Sequence, residues 1–114
     1  MPTYSFRTDG IVTNDYPLKP TGAATILNAA GTGASGTATC FMPIQGDYMK
    51  MVIVYLNNFK HISGTLEYTF PVAFSATPYA IDPTTLGATI TATKITFPTS
   101  MASAKTGWLI LMGW

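Results

Sequence analysis

Few side chains in this sequence are of the types that do chemistry in enzymes. His61 is the only histidine and Cys40 the only cysteine. The acids are scattered along the chain: Asp9, Asp15, Asp47, Glu67 and Asp82. One cysteine and one histidine exclude an internal disulfide and the usual zinc ligand sets. Gly31-Thr32-Gly33 lacks the Lys-Ser/Thr of a phosphate-binding loop, and no Gly-x-Ser-x-Gly motif is present. A pair of distant acids meeting in space stays open, but we predict no catalytic residues, no metal site, no cofactor and no enzyme activity.

Cys40 and His61 are interpreted from the sequence around them. Cys40 lies in an alternating apolar segment, which predicts a small buried hydrophobic side chain. His61 follows Lys60 in a polar link between two predicted strands, and we expect an exposed turn residue rather than a catalytic base.

A sugar-binding site is the alternative that the sequence offers to a purely structural role. Such a site needs flat aromatic rings together with planar polar groups, and Asn57, Asn58 and Phe59 supply both, with Tyr79 as a further aromatic near a loop. The competing interpretation is that Phe59 belongs to the core and that the asparagines only form a turn.

Composition and charge indicate which classes of partner and which cellular compartment are expected. The net charge is +1 and only 10% of residues are charged, which gives no electrostatic case for nucleic acid or an anionic membrane. No apolar run approaches the ~20 residues of a membrane-spanning helix, so no membrane insertion is expected. The first residues show no signal-peptide pattern, which predicts synthesis and folding in a cytoplasm.

The strands that must position these residues centre on Met49–Leu56, the only long apolar β run. Its valine, isoleucine and tyrosine content favours a strand, and the link 57–61 is predicted to end it. The last strand, Gly107–Trp114, is similar. Both have apolar side chains on both faces, whereas a strand in a small antiparallel domain usually has one polar face.

The remaining segments predict further short strands. Thr37–Met42 alternates and is expected to stop at Pro43, and Tyr79–Ile81 is a short strand. Ala88–Phe97 changes phase, which predicts a tight turn near Thr93-Lys94 between two short strands. Seven or eight strands without a helix-length amphipathic segment indicate an all-β protein, an antiparallel β-sandwich that is jelly-roll-like, over residues 23–114.

Residues 1–22 are predicted to form an N-terminal attachment arm. The segment interleaves apolar and polar residues and ends in two prolines, and its anchors would be Tyr4, Phe6, Ile11 and Val12. An arm of this kind adds a strand to a neighbouring protein. A β-hairpin at the edge of its own domain is the alternative.

A single core covers only one face of each two-faced strand, and the other face could be covered by loops of the same chain or by another subunit. We favour a homo-oligomer, because large apolar patches on a lone domain are unusual and often mark an interface. The candidate interface residues are Met51, Ile53, Tyr55, Trp108, Ile110 and Trp114. Which face of each strand meets another subunit is left open, and so is the number of subunits, since dimers are the commonest oligomers.

Three stretches resemble a module at the C-terminal ends of tailed-bacteriophage fibre and virion-surface proteins. They are SGTATCFMPIQGDYMKMVIVYLNNFKH (35–61), GTLEYTFPVAFSATP (64–78) and TGWLILMGW (106–114). The order and spacing of the three are more specific than any one alone. The chain departs from the pattern at Met112, where an acid is usual, and at Cys40-Phe41, where a tryptophan is common.

The resemblance implies a homotrimeric β-domain on a phage particle, made in the bacterial cytoplasm and assembled with other capsid or tail proteins. The chain carries no long shaft, so a capsid decoration or cement protein, or a short head fibre, is expected to be attached through the arm. A tail-fibre tip that binds a host receptor or glycan is the alternative.

Overall fold

The computed structural model describes residues 24–114 together with the backbone of two short strands that precede them. These strands pair antiparallel, Tyr4 opposite Asn14 and Phe6 opposite Val12. The rest of the predicted arm 1–22, including Ile11 and the side chains of the other predicted anchors Tyr4, Phe6 and Val12, lies outside the described residues.

The described chain is all-β, as expected, and every strand pairing is antiparallel. The strands are β1 Tyr4–Phe6, β2 Val12–Asn14, β3 Thr25–Asn28, β4 Ser35–Gln45, β5 Lys50–Lys60, β6 Glu67–Thr69, β7 Tyr79–Ile81, β8 Thr89–Ile90, β9 Lys94–Thr96 and β10 Lys105–Gly113. No helix occurs among the described residues.

Two sheets share one hydrophobic core. The large sheet has the strand order β3-β4-β5-β10-β7, and the small sheet has the order β6-β9-β8. One face of the large sheet is buried in this core. Its apolar side chains are at most 1% exposed: Ala38, Cys40, Met42, Val52, Val54, Leu56, Leu109 and Leu111. Against them lie buried residues of the small sheet and its connections, among them Tyr68, Phe70, Phe74, Leu86, Ile95, Phe97 and Met101.

A β-bulge at Asn57-Asn58 lets β5 continue where the sequence predicted a polar link. Thr37 pairs with Asn57 and Ser35 with Lys60, so β5 has one residue more than β4 over this step. Asn58 takes up the extra residue with a φ of 49°, its N–H donates to Thr106 Oγ1 at 2.9 Å and its carbonyl accepts from Ser35 Oγ at 2.8 Å. The prediction that the strand ends at Leu56 is therefore wrong.

The bulge also changes which side chains of β5 face inward. Before it, the even-numbered Val52, Val54 and Leu56 are buried, and after it the odd-numbered Phe59 and His61 are. An inserted residue shifts the two-residue side-chain period by one, so both aromatic rings enter the core.

Pro43 does not end its strand, contrary to prediction. Phe41 pairs with Ile53 and Ile44 with Met51, so β4 has one extra residue between these pairs and Pro43 sits in that bulge. A bulge is one of the few places in a sheet where a proline costs no ladder hydrogen bond.

The phase change in Ala88–Phe97 marks a hairpin, as predicted. β8 and β9 pair antiparallel with Thr89 opposite Thr96, and the turn is closed by the Thr91 N–H bonding to the Lys94 carbonyl at 2.9 Å. The turn lies over residues 91–93, one or two residues before the predicted position.

Gly36 faces the bulge in β5, and its replacement is the sharpest test of this geometry. Gly36 and Gly33 both have positive φ, 71° and 84°. A Cβ at Gly36 would overlap the carbonyl oxygens of Asn57 and Asn58, while one at Gly33 meets nothing within 4 Å. We predict that Gly33→Ala costs about 1–2 kcal/mol of unfolding free energy from backbone strain, and that Gly36→Ala costs about 1–3 kcal/mol more from the clash.

Urea unfolding of the two variants, followed by circular dichroism, measures the difference. Equal losses of unfolding free energy in Gly36→Ala and Gly33→Ala would contradict the bulge as described.

Candidate functional site

The face of the large sheet that points away from the core carries three rows of apolar side chains. Strand pairing fixes the rows, because directly opposed residues point to the same side. They run across the sheet as Ile26, Thr39, Tyr55 and Trp108; Phe41, Ile53, Ile110 and Ile81; and Ile44, Met51, Met112 and Tyr79. We call these twelve residues the open face.

The open face is apolar and accessible. None of its twelve side chains is charged, and Thr39 is its one aliphatic hydroxyl. Four of its large side chains are more than half exposed, namely Ile26, Tyr79, Ile81 and Trp108, and the others are partly buried.

An aromatic pair lies within the open face, on the neighbouring strands β5 and β10. The rings of Tyr55 and Trp108 are opposed across β5 and β10, with centroids 4.7 Å apart and planes tilted by 45°. Contact between the two rings fixes their orientation, so the pair presents a rigid aromatic surface outward.

Five of the six predicted interface residues lie together on the open face: Met51, Ile53, Tyr55, Trp108 and Ile110. Sequence reasoning had left the choice of face undecided, and the position of the core now decides which face remains outward. Trp114 is separate, since it follows the end of β10. Its carbonyl accepts hydrogen bonds from both the N–H and the Oγ of Ser75, each 2.7 Å long, and its side chain is 61% exposed.

Other members of the open face were missed by sequence reasoning. Met112 was recognisable, because it has the same parity as Trp108 and Ile110 on β10. The others, Phe41, Ile26, Ile44, Tyr79 and Ile81, were not, because their faces depend on which strands are adjacent and, for Ile44, on the bulge at Pro43.

The four predicted glycan contacts are not brought together. Phe59 is fully buried against Phe97, with ring centroids 5.3 Å apart, so its ring is closed to any ligand, as the core interpretation expected. Asn57 and Asn58 are exposed at the bulge. Tyr79 pairs with Met112 on β10. Met112 is five residues from Gly107, the β10 residue that lies beside the bulge. Five residues of a strand span about 17 Å, so Tyr79 lies about that far from the two asparagines.

His61 is buried, at 1% exposure, and the prediction of an exposed turn residue is wrong. Its Nδ1 accepts a hydrogen bond from the Ala30 N–H at 2.9 Å, and its Nε2 lies 2.8 Å from the Gly64 carbonyl. Both ring nitrogens are therefore used to hold loops together, and neither faces a carboxylate.

The described acids have structural partners of their own. Asp82 accepts from the N–H groups of Thr84 and Leu86 and so shapes its turn, and Glu67 forms an ion pair with Lys94 at 3.1 Å. Within residues 24–114 no three histidine, cysteine, aspartate or glutamate side chains cluster as metal ligands would.

Cys40 is a buried core residue, as predicted. Burial in the apolar core raises the pKa of its thiol from 9.0 to about 12, and burial likewise raises the pKa of Tyr68 to about 12. The thiolate is the reactive form of cysteine, so the folded protein holds Cys40 in its inert state at neutral pH.

Comparison with protein-family models, with curated proteins and with solved structures returned no match. The resemblance to the phage module thus rests on the three sequence stretches alone. No segment in the described part of the chain forms a helix long and apolar enough to cross a membrane.

Proposed function

We propose that this chain is a non-enzymatic structural protein of a tailed-phage virion, a homotrimeric, jelly-roll-like β-sandwich that decorates or cements the capsid or forms a short head fibre. The observation that carries the proposal is the open face, an apolar sheet surface that the described chain leaves uncovered. The sequence resemblance supports the virion setting and the number of subunits.

The open face has the size of an apolar patch that often marks an interaction site. Each row crosses four strands about 4.8 Å apart, and the three rows are about 7 Å apart, so the face spans roughly 20 Å by 20 Å with its side chains, or ~400 Å² in flat projection. The largest apolar patch of a typical monomer is about 300–600 Å² and is often functional. Burial stabilises by about 25 cal/mol per Å² of apolar surface, so leaving such a face in water is costly.

The chemistry of the open face favours another copy of the same chain as its cover. With no charge among its twelve side chains, it offers nothing to hold a charged partner in register. An identical apolar face matches it in polarity, and subunit interfaces of permanent oligomers are apolar like a domain core. Three copies around a three-fold axis would bury the face of each.

The arm supplies attachment in this proposal. Residues 1–22 would reach a neighbouring capsid or tail protein through Tyr4, Phe6, Ile11 and Val12, by adding a strand to it.

A charge placed in the middle of the open face is expected to separate the subunits. Ile110 lies in the central row, between Ile53 and Ile81. We predict that Ile110→Glu reduces the mass in solution from three chains of 12.2 kDa to one, because burying an unpaired carboxylate in an apolar interface costs several kcal/mol. Sedimentation equilibrium measures the mass, and circular dichroism shows that the strands persist.

Thr69→Glu is the matched control, since Thr69 is exposed on β6 of the small sheet. It adds the same charge away from the open face and should leave the trimer intact. Assembly that survives Ile110→Glu, or that is lost equally in Thr69→Glu, would count against the open face as the interface.

Removal of the arm is expected to abolish attachment and to leave the trimer assembled. We predict that a chain lacking residues 2–16 still has the mass of three of its own chains in solution but no longer binds particles that lack the protein, because the anchoring strand is gone. Co-sedimentation with such particles measures binding. If the shortened chain decorates particles as well as the full chain does, the arm is not the anchor.

A glycan-binding tip is the second candidate, and Tyr79 is the observation that favours it. Tyr79 is 79% exposed and Trp114 61% exposed, and both border a shallow cleft lined by Ala76, Thr77, Met112 and Gly113. Aromatic rings beside a hydroxyl suit the apolar face and the polar edge of a sugar.

A glycan array with the wild-type protein and Tyr79→Ala tests this candidate. If it is correct, the wild type binds a defined set of host glycans and Tyr79→Ala loses at least about tenfold in affinity, the loss of one stacking contact. Tyr68→Phe is the control, since Tyr68 is buried on the small sheet. If the wild-type protein binds no glycan on the array, the glycan-binding function is wrong.

A further inference from the structure

The large sheet has an uncovered stretch of strand at each of its two edges. At one edge β3 pairs with β4 only from Thr37 to Cys40, so no described strand pairs with Phe41–Ile44 on that side. At the other edge β7 pairs with Ile110–Met112 of β10, and no described strand pairs with the outer side of β7. An unpaired strand edge offers its backbone N–H and C=O groups to another strand.

The outer side of β7 carries no charge or bulge that would deter pairing. All three residues of β7, Tyr79–Ile81, are exposed, although the side chain of Ala80 points to the opposite side from its two neighbours. None of the three is charged, and the pairing of β7 with β10 has no bulge. Edge strands are often protected by charged side chains, as on the small sheet, where Glu67 on the edge strand β6 forms an ion pair with Lys94.

The two uncovered stretches match in direction and in height. Neighbouring strands of the large sheet are all antiparallel, so β7 runs opposite to β4. If copies are related by a rotation axis along the strands, β7 of one copy is therefore antiparallel to β4 of the next. At equal height Ile81 then extends the row that begins at Phe41, and Tyr79 extends the row that begins at Ile44, because each pair ends one row of the open face.

We infer that β7 of each subunit pairs with Phe41–Ile44 of the next subunit, so that three large sheets close into a three-sided prism with their open faces inside. The inference rests on the proposed homotrimer and adds how its subunits are joined. The contact uses two different edges, and head-to-tail contacts of this kind form a ring when the rotation closes. The added ladder is short, since Pro43 has no N–H and Pro78 and Pro83 flank β7.

The width of the open face suits a prism of three sides. Its second and third rows cross four strands at a spacing of about 4.8 Å, so each side of the prism is about 19 Å wide. The centre of a triangle with such sides lies about 5.5 Å from each sheet, close to the ~5 Å that is half of the usual distance between packed sheets. Four sheets would leave the centre about 10 Å from each sheet and therefore unfilled, and two sheets packed face to face would leave their edges unpaired.

A disulfide across this contact tests the inference. Ile44 and Tyr79 lie at opposite ends of one row, with Met51 and Met112 between them. Within one chain they are about 14 Å apart, which is too far for a disulfide. We predict that the double variant Ile44→Cys/Tyr79→Cys, once oxidised, runs on a non-reducing gel as a covalent trimer, because each chain is then linked to both of its neighbours.

The controls are the single variants and a displaced cysteine. Ile44→Cys alone and Tyr79→Cys alone should run as single chains. Thr69→Cys/Tyr79→Cys should do the same, because Thr69 is exposed on the small sheet, away from the contact. Cys40 is present in every variant and is fully buried in the core, so it does not form these disulfides.

Sedimentation equilibrium of the reduced double variant separates this inference from the proposed function. A mass of three chains that yields no covalent trimer on full oxidation overturns the edge contact and leaves the homotrimer standing. Full oxidation that stops at covalent pairs also overturns it. A mass of one chain, in the variant and the wild type alike, contradicts the homotrimer and the inference with it. If the double variant does not fold or assemble, Phe41→Cys/Ile81→Cys in the neighbouring row gives the same test.

Discussion

The structure depends on one constraint: β5 and β10 are apolar on both faces, and the described chain covers only one. The small sheet and its connections seal the face formed by Val52, Val54, Leu56, Leu109 and Leu111. The opposite face of the same two strands keeps Tyr55 and Trp108 in contact at the surface. The apolar surface that the described chain leaves outside is the observation that supports the proposed role in assembly.

Two bulges make this division possible. The bulge at Asn57-Asn58 shifts the phase of β5, so that Phe59 and His61 complete the core at one end, and it requires a glycine at Gly36 opposite. At the bulge at Pro43, β4 has one extra residue, and this residue shifts the side-chain alternation so that Ile44 points to the open face. Each bulge leaves one residue of its strand unpaired. The strand continues beyond the bulge, and its apolar side chains there still point to the core or to the open face. The burial of His61 follows from the first bulge.

Part of this structure was predictable from the sequence. Alternation and turn residues were sufficient for β7, for the β8–β9 hairpin and for the two-faced character of β5 and β10, because these depend on local pattern. The extents of β4 and β5 were not, because Pro43 and Asn57-Asn58 look like strand ends and become bulges only when a neighbouring strand holds them. The burial of His61 has the same cause. Which face of β5 stays open depends on where the small sheet lies, and that is set by contacts distant in sequence.

Methionine oxidation of the intact wild-type protein tests the central claim, that other copies of the chain cover the open face, most directly. Met51 and Met112 face each other on the open face, Met49 is exposed beside it, and Met42 and Met101 are buried in the core. In dilute peroxide, followed by peptide mass spectrometry, the account predicts that Met51 and Met112 oxidise as slowly as Met42 and Met101, while Met49 oxidises quickly. Oxidation of Met51 and Met112 at a rate close to that of Met49 would contradict it.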